Sequence, residues 1–172
     1  GAAEMFRRCS AVEPERNPAA LYAALHARLC SAKGKDIAIV MPFAEGLKST
    51  ADWYVQLLAE SLGKKFGRRI AGGPGGETWE PDPGRVVHAG RTPVPARGTN
   101  DLHSIHQNNV EGMNNKTVTF IRVERFARDI VVPGEDFLGG RRYAALLNLA
   151  EEATEWSLAA AGRPSCTISM PE

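Results

Sequence analysis

Residues 36–43, DIAIVMPF, form a short β-branched apolar run with no polar alternation, stopped by Pro42. A run of this kind reads as a strand buried on both faces, which is the signature of a parallel sheet. Parallel neighbours require crossover connections, so helices must stand between the strands. The rest of the sequence supplies them. Residues 17–32 carry a helix start, with Asn17 placed to cap and Pro18 suited to the first helical position. Leu21, Leu25 and Leu29 recur at four-residue spacing as an apolar stripe, and Gly34 is a natural terminator. Residues 44–65 read as the next helix, with Leu47, Ala51, Tyr54, Leu58 and Leu62 on one side.

From residue 66 to 98, glycine and proline crowd in (GGPGGE, EPDPG, TPVP) and periodicity disappears. The segment reads as a long irregular connection. Residues 99–112 are expected to be helical. Residues 116–123, KTVTFIRV, have strand composition. Residues 125–140 read as loop, with turn signals at Pro133-Gly134 and Gly139-Gly140. Residues 141–161 are the longest predicted helix, ended by Gly162, and residues 164–170 are the last strand. Residues 1–16 show no obvious element. Alternating strands and helices predict an α/β fold: a three-layer sandwich with a mostly parallel sheet and helices on both faces. Ligands in such sheets bind beyond the carboxyl ends of the strands. Attention therefore falls on the segments after Val40, before the 99–112 helix and after Val123.

At 172 residues, 43% of them hydrophobic, the chain is sized for one ordinary domain. With 21 basic and 20 acidic residues, its net charge of +1 draws it to neither nucleic acid nor an acidic membrane face. No stretch approaches the length of a membrane-spanning helix, and no signal peptide is evident, so the protein is expected to be cytoplasmic. Cys9, Cys30 and Cys166 are widely spaced and read as buried reduced thiols. No ligand set for a metal or organic cofactor is apparent.

Gln56 and Glu60 are four apart and share a helical face. Glu60 falls in the last turn before Gly63, where the negative end of the helix dipole makes a carboxylate more basic. That suits a general base; the ordinary alternative is a solvated Glu supporting Lys64. In GTNDLHSIHQ (98–107), Thr99, Asn100 and Asp101 are all good N-caps. His103 would then lie in a first turn, where the dipole favours the neutral ring; the ordinary alternative is a surface or core histidine. His103 and Gln107 share one face, Leu102 and His106 another. Arg122, Arg125 and Arg128 surround the end of a strand, and pairing with Glu124 and Asp129 is the expected arrangement, with a phosphate site as the alternative. Gly72–Gly76, GGPGG, lacks the Lys-Ser/Thr ending of a phosphate loop. His26 is expected to pack within its helix, and His88 has no partner in view.

Together these strings carry a resemblance. QLLAESLGK (56–64) resembles the segment of glucose-6-phosphate isomerases in which Gln is followed four residues later by the Glu of an E-S-x-G-K motif. GTNDLHSIHQ resembles that family's later G-T/A-x-x-x-H-x-x-x-Q segment, with Leu102 where the family usually has glutamine. DIAIVMPFAEGLKSTADWYVQLLAESLGK, TPVPARG, TVTFIRVE, DIVVPG and AAGRPSCTISMPE look like the bacterial branch, in order, over nearly the whole chain. The resemblance implies a second sugar-isomerase (SIS) domain over residues 17–172, with residues 1–16 as the connection from a first. The family's C-terminal G-V-E-x-x-K stretch and the Ser/Thr phosphate loops of the first domain are not in this sequence. It implies interconversion of glucose 6-phosphate and fructose 6-phosphate through a cis-enediol. Glu60 would move the proton between C1 and C2, His103 would open the sugar ring, and Gln56 and Gln107 would lie near substrate. It also implies a homodimer in which His103 reaches the neighbouring subunit's site, and no cofactor. The alternative is a non-catalytic SIS module that only binds a sugar phosphate. The resemblance leaves open whether the parent is a fusion with another sugar-phosphate enzyme.

Overall fold

The computed structural model describes residues 1–73 and 76–171. Pro74 and Gly75, within the GGPGG segment, and the terminal Glu172 lie outside the described residues. The chain divides into two compact units, Gly1–Asp36 and Ile37–Glu172.

The first unit is helical. Its α1 (Ala2–Cys9) occupies a stretch with no evident element in the sequence. AAEMFRRC contains good helix formers, and Arg7 pairs with Glu4 one turn back. A 3-10 turn at Pro14–Arg16 leads into α2 (Pro18–Lys33). As expected, the Asn17 side chain accepts the Ala20 amide at 2.9 Å, Pro18 opens the helix and Gly34 closes it at φ 62°. The Asn17 amide also donates to the carbonyls of Cys9 and Ala11, which ties the helix start to the preceding turn. The predicted leucine stripe is not a buried face. Leu21 and Leu25 are exposed, and only Leu29 is half-buried.

The second unit is a four-stranded parallel sheet in the order β4-β1-β5-β6. Its strands are β1 (Ile37–Pro42), β4 (Thr92–Pro95), β5 (Lys116–Val123) and β6 (Ser165–Met170). β1 and β5 are the central pair, in register from Ile37↔Lys116 to Pro42↔Ile121. Strand alternation sorts their side chains between two cores. Ile39, Met41 and Phe43 join Val118 and Phe120 on one face, with Leu158 from α5 (Tyr143–Ala160) against them. The Phe43 and Phe120 rings meet edge-on at 6.0 Å. Val40 and Ile121 face the other way, onto Ala51 of α3 (Lys48–Leu62). The connection from β1 to β4 runs through α3 on one face. The remaining connections, to β5 and β6, use α4 (His106–Val110) and α5 on the other. Reversing direction across the sheet reverses the face when crossovers are right-handed. The expected three-layer arrangement is therefore present.

Three expectations need correction. Residues 66–98 are not an irregular connection. β2 (Lys64–Ala71) and β3 (Thr78–Ala89) form an antiparallel ribbon, and β4 follows as a sheet strand. Their prolines disguised them. Pro93 and Pro95 sit in an edge strand of the sheet, and both strands of a two-stranded ribbon are edges, where a missing amide is tolerated. Residues 99–112 are not one helix: a 3-10 turn (Asn100–His103) precedes the short α4. The helix predicted over 44–65 is a 3-10 turn at Glu45–Leu47 followed by α3, and Lys64 already belongs to β2. The 141–161 prediction matches α5, the longest helix among the described residues, with Gly162 at φ 66° just past it.

The expected pairing of the arginine cluster is also overturned. Arg122 does not bond Glu124 or Asp129. It reaches α5, where it pairs with the fully buried Glu151 and, at 3.2 Å, with Glu152. Thr167 Oγ1 donates to the remaining Glu151 oxygen at 3.2 Å. Asp129 instead caps α5, accepting the Ala144 amide at 3.0 Å and pairing with Arg142 at 3.4 Å. Burial pushes the Glu151 carboxyl up from its ordinary value, against the pull of Arg122. Arg122→Met strands that carboxylate without its cation. Urea denaturation at neutral pH is expected to show a loss of about 3–5 kcal/mol.

Candidate active site

α3 begins directly above the carboxyl end of β1, because the buried Phe43 turns the chain into the Glu45–Leu47 turn and Ala51 seats the helix on Val40. The amide of Ala96 donates to the Val40 carbonyl at 2.9 Å and that of Gly98 to Pro42 at 3.0 Å, so the segment after β4 is laced to the same sheet end. A Cβ on Gly98 would collide with the Phe43 ring, so glycine alone fits there. Between these segments lies a cleft of about 190 Å³ lined by Lys48, Ala51, Asp52, Pro95, Ala96, Arg97 and Asp101. It occupies the carboxyl ends of β1 and β4, where α/β sheets bind ligands. Arg97 crosses to Glu45 at 3.0 Å, and Asp101 accepts the Arg97 amide at 2.6 Å. Sequence reasoning did not select Lys48, Asp52 or Arg97. Each is an ordinary charged residue, and only the sheet register brings 48–52 beside 95–101. Asp101 was read as a cap, and it does organise its turn, also accepting the Ser104 hydroxyl at 3.1 Å.

The sequence-predicted residues stand as follows. Gln56 and Glu60 lie on α3, one helical turn apart, and both are exposed. Glu60 is in the last turn, as expected, and Lys64 Nζ bonds its backbone carbonyl at 2.9 Å instead of its carboxylate. His103 is exposed and ends a four-residue 3-10 turn. The expectation that it begins a helix, at the positive end of a dipole, is therefore wrong: the chain turns again at Ser104 before α4 starts. Gln107, also exposed, donates to Glu111 at 2.8 Å. Among the described residues no hydrogen bond joins Gln56, Glu60, His103 and Gln107, and none of them lines the cleft. Among the described residues no group of three His, Cys, Asp or Glu side chains is placed to hold a metal ion. Cys9, Cys30 and Cys166 form no disulfide and are half-buried, where fully buried thiols were expected. His88 is exposed in β3 with a left-handed φ of 47°, and His26 stacks on Tyr22 at 4.0 Å. No helix among the described residues is long and apolar enough to cross a membrane.

His106 is the histidine that packs. Its Nε2 lies 3.2 Å from Ser157 Oγ, whose own hydrogen goes to the Thr154 carbonyl at 2.8 Å. Ser157 must therefore accept, which assigns the Nε2–H tautomer and leaves Nδ1 buried without a partner. Burial lowers the His106 pKa from the ordinary 6.5.

No protein-family model matches the chain. Curated relatives do. Glucose-6-phosphate isomerase of Carboxydothermus hydrogenoformans is 40% identical over 179 residues, spanning all of this chain and 35% of that protein. Glucose-6-phosphate isomerase of Rubrobacter xylanophilus is 35% identical over 161 residues, 90% of this chain and 32% of that protein. The chain thus spans about a third of the length of the relatives it matches. Among solved structures, a hypothetical protein from Thermus thermophilus superposes with a TM-score of 0.81 at 26% identity, covering 99% of this chain and 38% of that one. A glucose-6-phosphate isomerase from Chlamydia trachomatis shares the fold at a TM-score of 0.66 and 23% identity, covering 92% of this chain and 27% of that one.

The His106 geometry has a pH signature. Its folded pKa is below its unfolded one, so unfolding in acid takes up a proton. Its contribution to stability is whole above pH about 6.5 and is lost as pH falls through the lower folded value. Urea midpoints measured across that range are expected to fall with acidification, and to fall less in His106→Gln.

Proposed function

We propose that this chain, homologous along its whole length to glucose-6-phosphate isomerases, is the second SIS domain of such an enzyme and carries half of its catalytic residues. Residues 1–16 are read as the connection from the first domain and 17–172 as the domain itself. The observation that carries the reading is Gln56 and Glu60, one turn apart at the end of a helix springing from the central strand of a parallel sheet, in a segment whose relatives are isomerases by name.

The chemistry is coherent. Interconverting an aldose and a ketose phosphate means removing a proton beside a carbonyl and returning it one carbon away. A single carboxylate above the C1–C2 edge performs both transfers through a cis-enediol, and Glu60 is that group. Its side chain is free of any ion pair among the described residues. The ring must open first, and a neutral imidazole suits that proton exchange near pH 7; His103 takes this role. Glu60 and His103 lie on separate elements with no bond between them, which agrees with each serving a different site of a homodimer. Gln56 and Gln107 lie near the substrate and bind it. The phosphate is held by residues outside this chain, and no metal or organic cofactor takes part. The enzyme works in the cytoplasm, in glycolysis and gluconeogenesis.

In the full-length parent, Glu60→Gln is expected to lower kcat roughly a hundredfold or more in a coupled assay, as loss of a general base does. Near-normal turnover would remove Glu60 from the mechanism. The isolated 172-residue chain is expected to show little isomerase activity and no micromolar binding of fructose 6-phosphate; binding at that level would favour a sugar-phosphate-binding module instead.

A further inference from the structure

The ribbon β2–β3 has two unlike faces, and the apolar one is bare. Ile70 is paired across the strands with Trp79, Arg68 with Pro81 and Arg69 with Glu80. The pairing is regular from Gly67 to Ala71, where alternation puts Ile70, Trp79 and Pro81 on one face with Arg68, and Arg69, Glu80 and Asp82 on the other. Val86 pairs with the half-buried Phe66 beyond a shift in the register. Ile70 is 53% exposed, Trp79 63% and Val86 56%. A two-stranded ribbon is marginal on its own in water, and an amphipathic one becomes stable by covering its apolar face. The charged face is already suited to solvent.

The root of the ribbon packs closely on α3. Gly90, at φ 127°, packs so closely on the end of α3 that a Cβ would lie 3.1 Å from Gly63 Cα and 3.2 Å from the Leu62 carbonyl. A Cβ on Gly63 would meet the Ala59 carbonyl at 2.8 Å. Gly90 thus seats the root of the ribbon against the end of the helix whose last turn carries Glu60.

We propose that the apolar face of the ribbon is the docking surface for the polypeptide that this chain's relatives carry outside the matched segment, and that it clamps the phosphate-binding part of the enzyme against the Glu60 helix. The proposal rests on the reading of this chain as part of a longer isomerase. The matched segment is only 35% and 32% of two relatives' length, so about two-thirds of such a polypeptide is available to cover the patch in cis. The aromatic at the centre of the patch, Trp79, is the residue type that anchors such contacts.

Hydroxyl-radical footprinting read by mass spectrometry at Trp79 tests this on native protein, with Trp53 and Trp156 as internal references. Trp79 is expected to oxidise readily in the isolated 172-residue chain and several-fold more slowly in the full-length parent, with protection unchanged on dilution. Equal reactivity in both overturns the proposal. So does protection that disappears when dilution dissociates the parent to monomers, because a second copy is then the cover. Ile70→Glu in the parent is expected to raise Trp79 oxidation, and no change there overturns the proposal even if the isolated chain folds poorly. Isomerase activity measured on the same parent sample separates the two readings. An inactive parent with a protected Trp79 sinks the catalytic role and leaves the clamp, whereas an active parent with an exposed Trp79 sinks the clamp alone.

Discussion

The parallel pairing of β1 with β5 is the constraint on which the second unit depends. Its register, Met41 beside Phe120 and Val40 beside Thr119, divides the side chains between two cores and so decides where every helix can lie. One face takes α5 through Leu158, and the other takes α3 through Ala51. β1 ends at Pro42, the buried Phe43 follows it, and the chain leaves the sheet through the Glu45–Leu47 turn into α3. The segment after β4 is tied to the same sheet end by backbone hydrogen bonds to Val40 and Pro42. The cleft at the strand ends follows from these two departures and owes nothing to a dedicated loop.

Polar groups inside this frame are held at some cost. Glu151 sits fully buried beneath α5, with Arg122 and Thr167 engaging its two oxygens. Such a triad adds little net stability over a well-packed apolar equivalent, but it tolerates the loss of no member. It joins β5, β6 and α5 in one arrangement, which apolar contacts alone specify less sharply. His106 is a lesser case of the same kind, since one ring nitrogen bonds Ser157 and the other is buried alone. Both groups make the domain sensitive to pH away from any chemistry it performs.

The ribbon adds a second layer of organisation. It interrupts the α3-to-β4 crossover, which would otherwise be a short connection, and it is anchored by a glycine contact at the very turn that bears Glu60. Gln56, Glu60, His103 and Gln107 all stand exposed, clear of the cleft at the strand ends.

Local rules were enough for the elements whose cause is local. The unalternated run at 36–43 announced a doubly buried strand, composition marked 116–123 as another strand, and Asn17, Pro18 and Gly34 bounded α2 through capping and backbone geometry. The i, i+4 spacing of Gln56 and Glu60 was sufficient to place them one turn apart near a helix end. What lay beyond local rules was set by contacts distant in sequence. Prolines at 81, 93 and 95 read as loop because a residue does not know whether its strand will be an edge. Arg122 was assigned the acids nearest along the chain, yet its partners, Glu151 and Glu152, came from a helix turn far along it. His103 was given a helix dipole that the 3-10 turn does not supply. Periodicity and caps are written residue by residue, whereas edge position, ion-pair choice and the walls of a cleft exist only once the sheet has brought separate segments together.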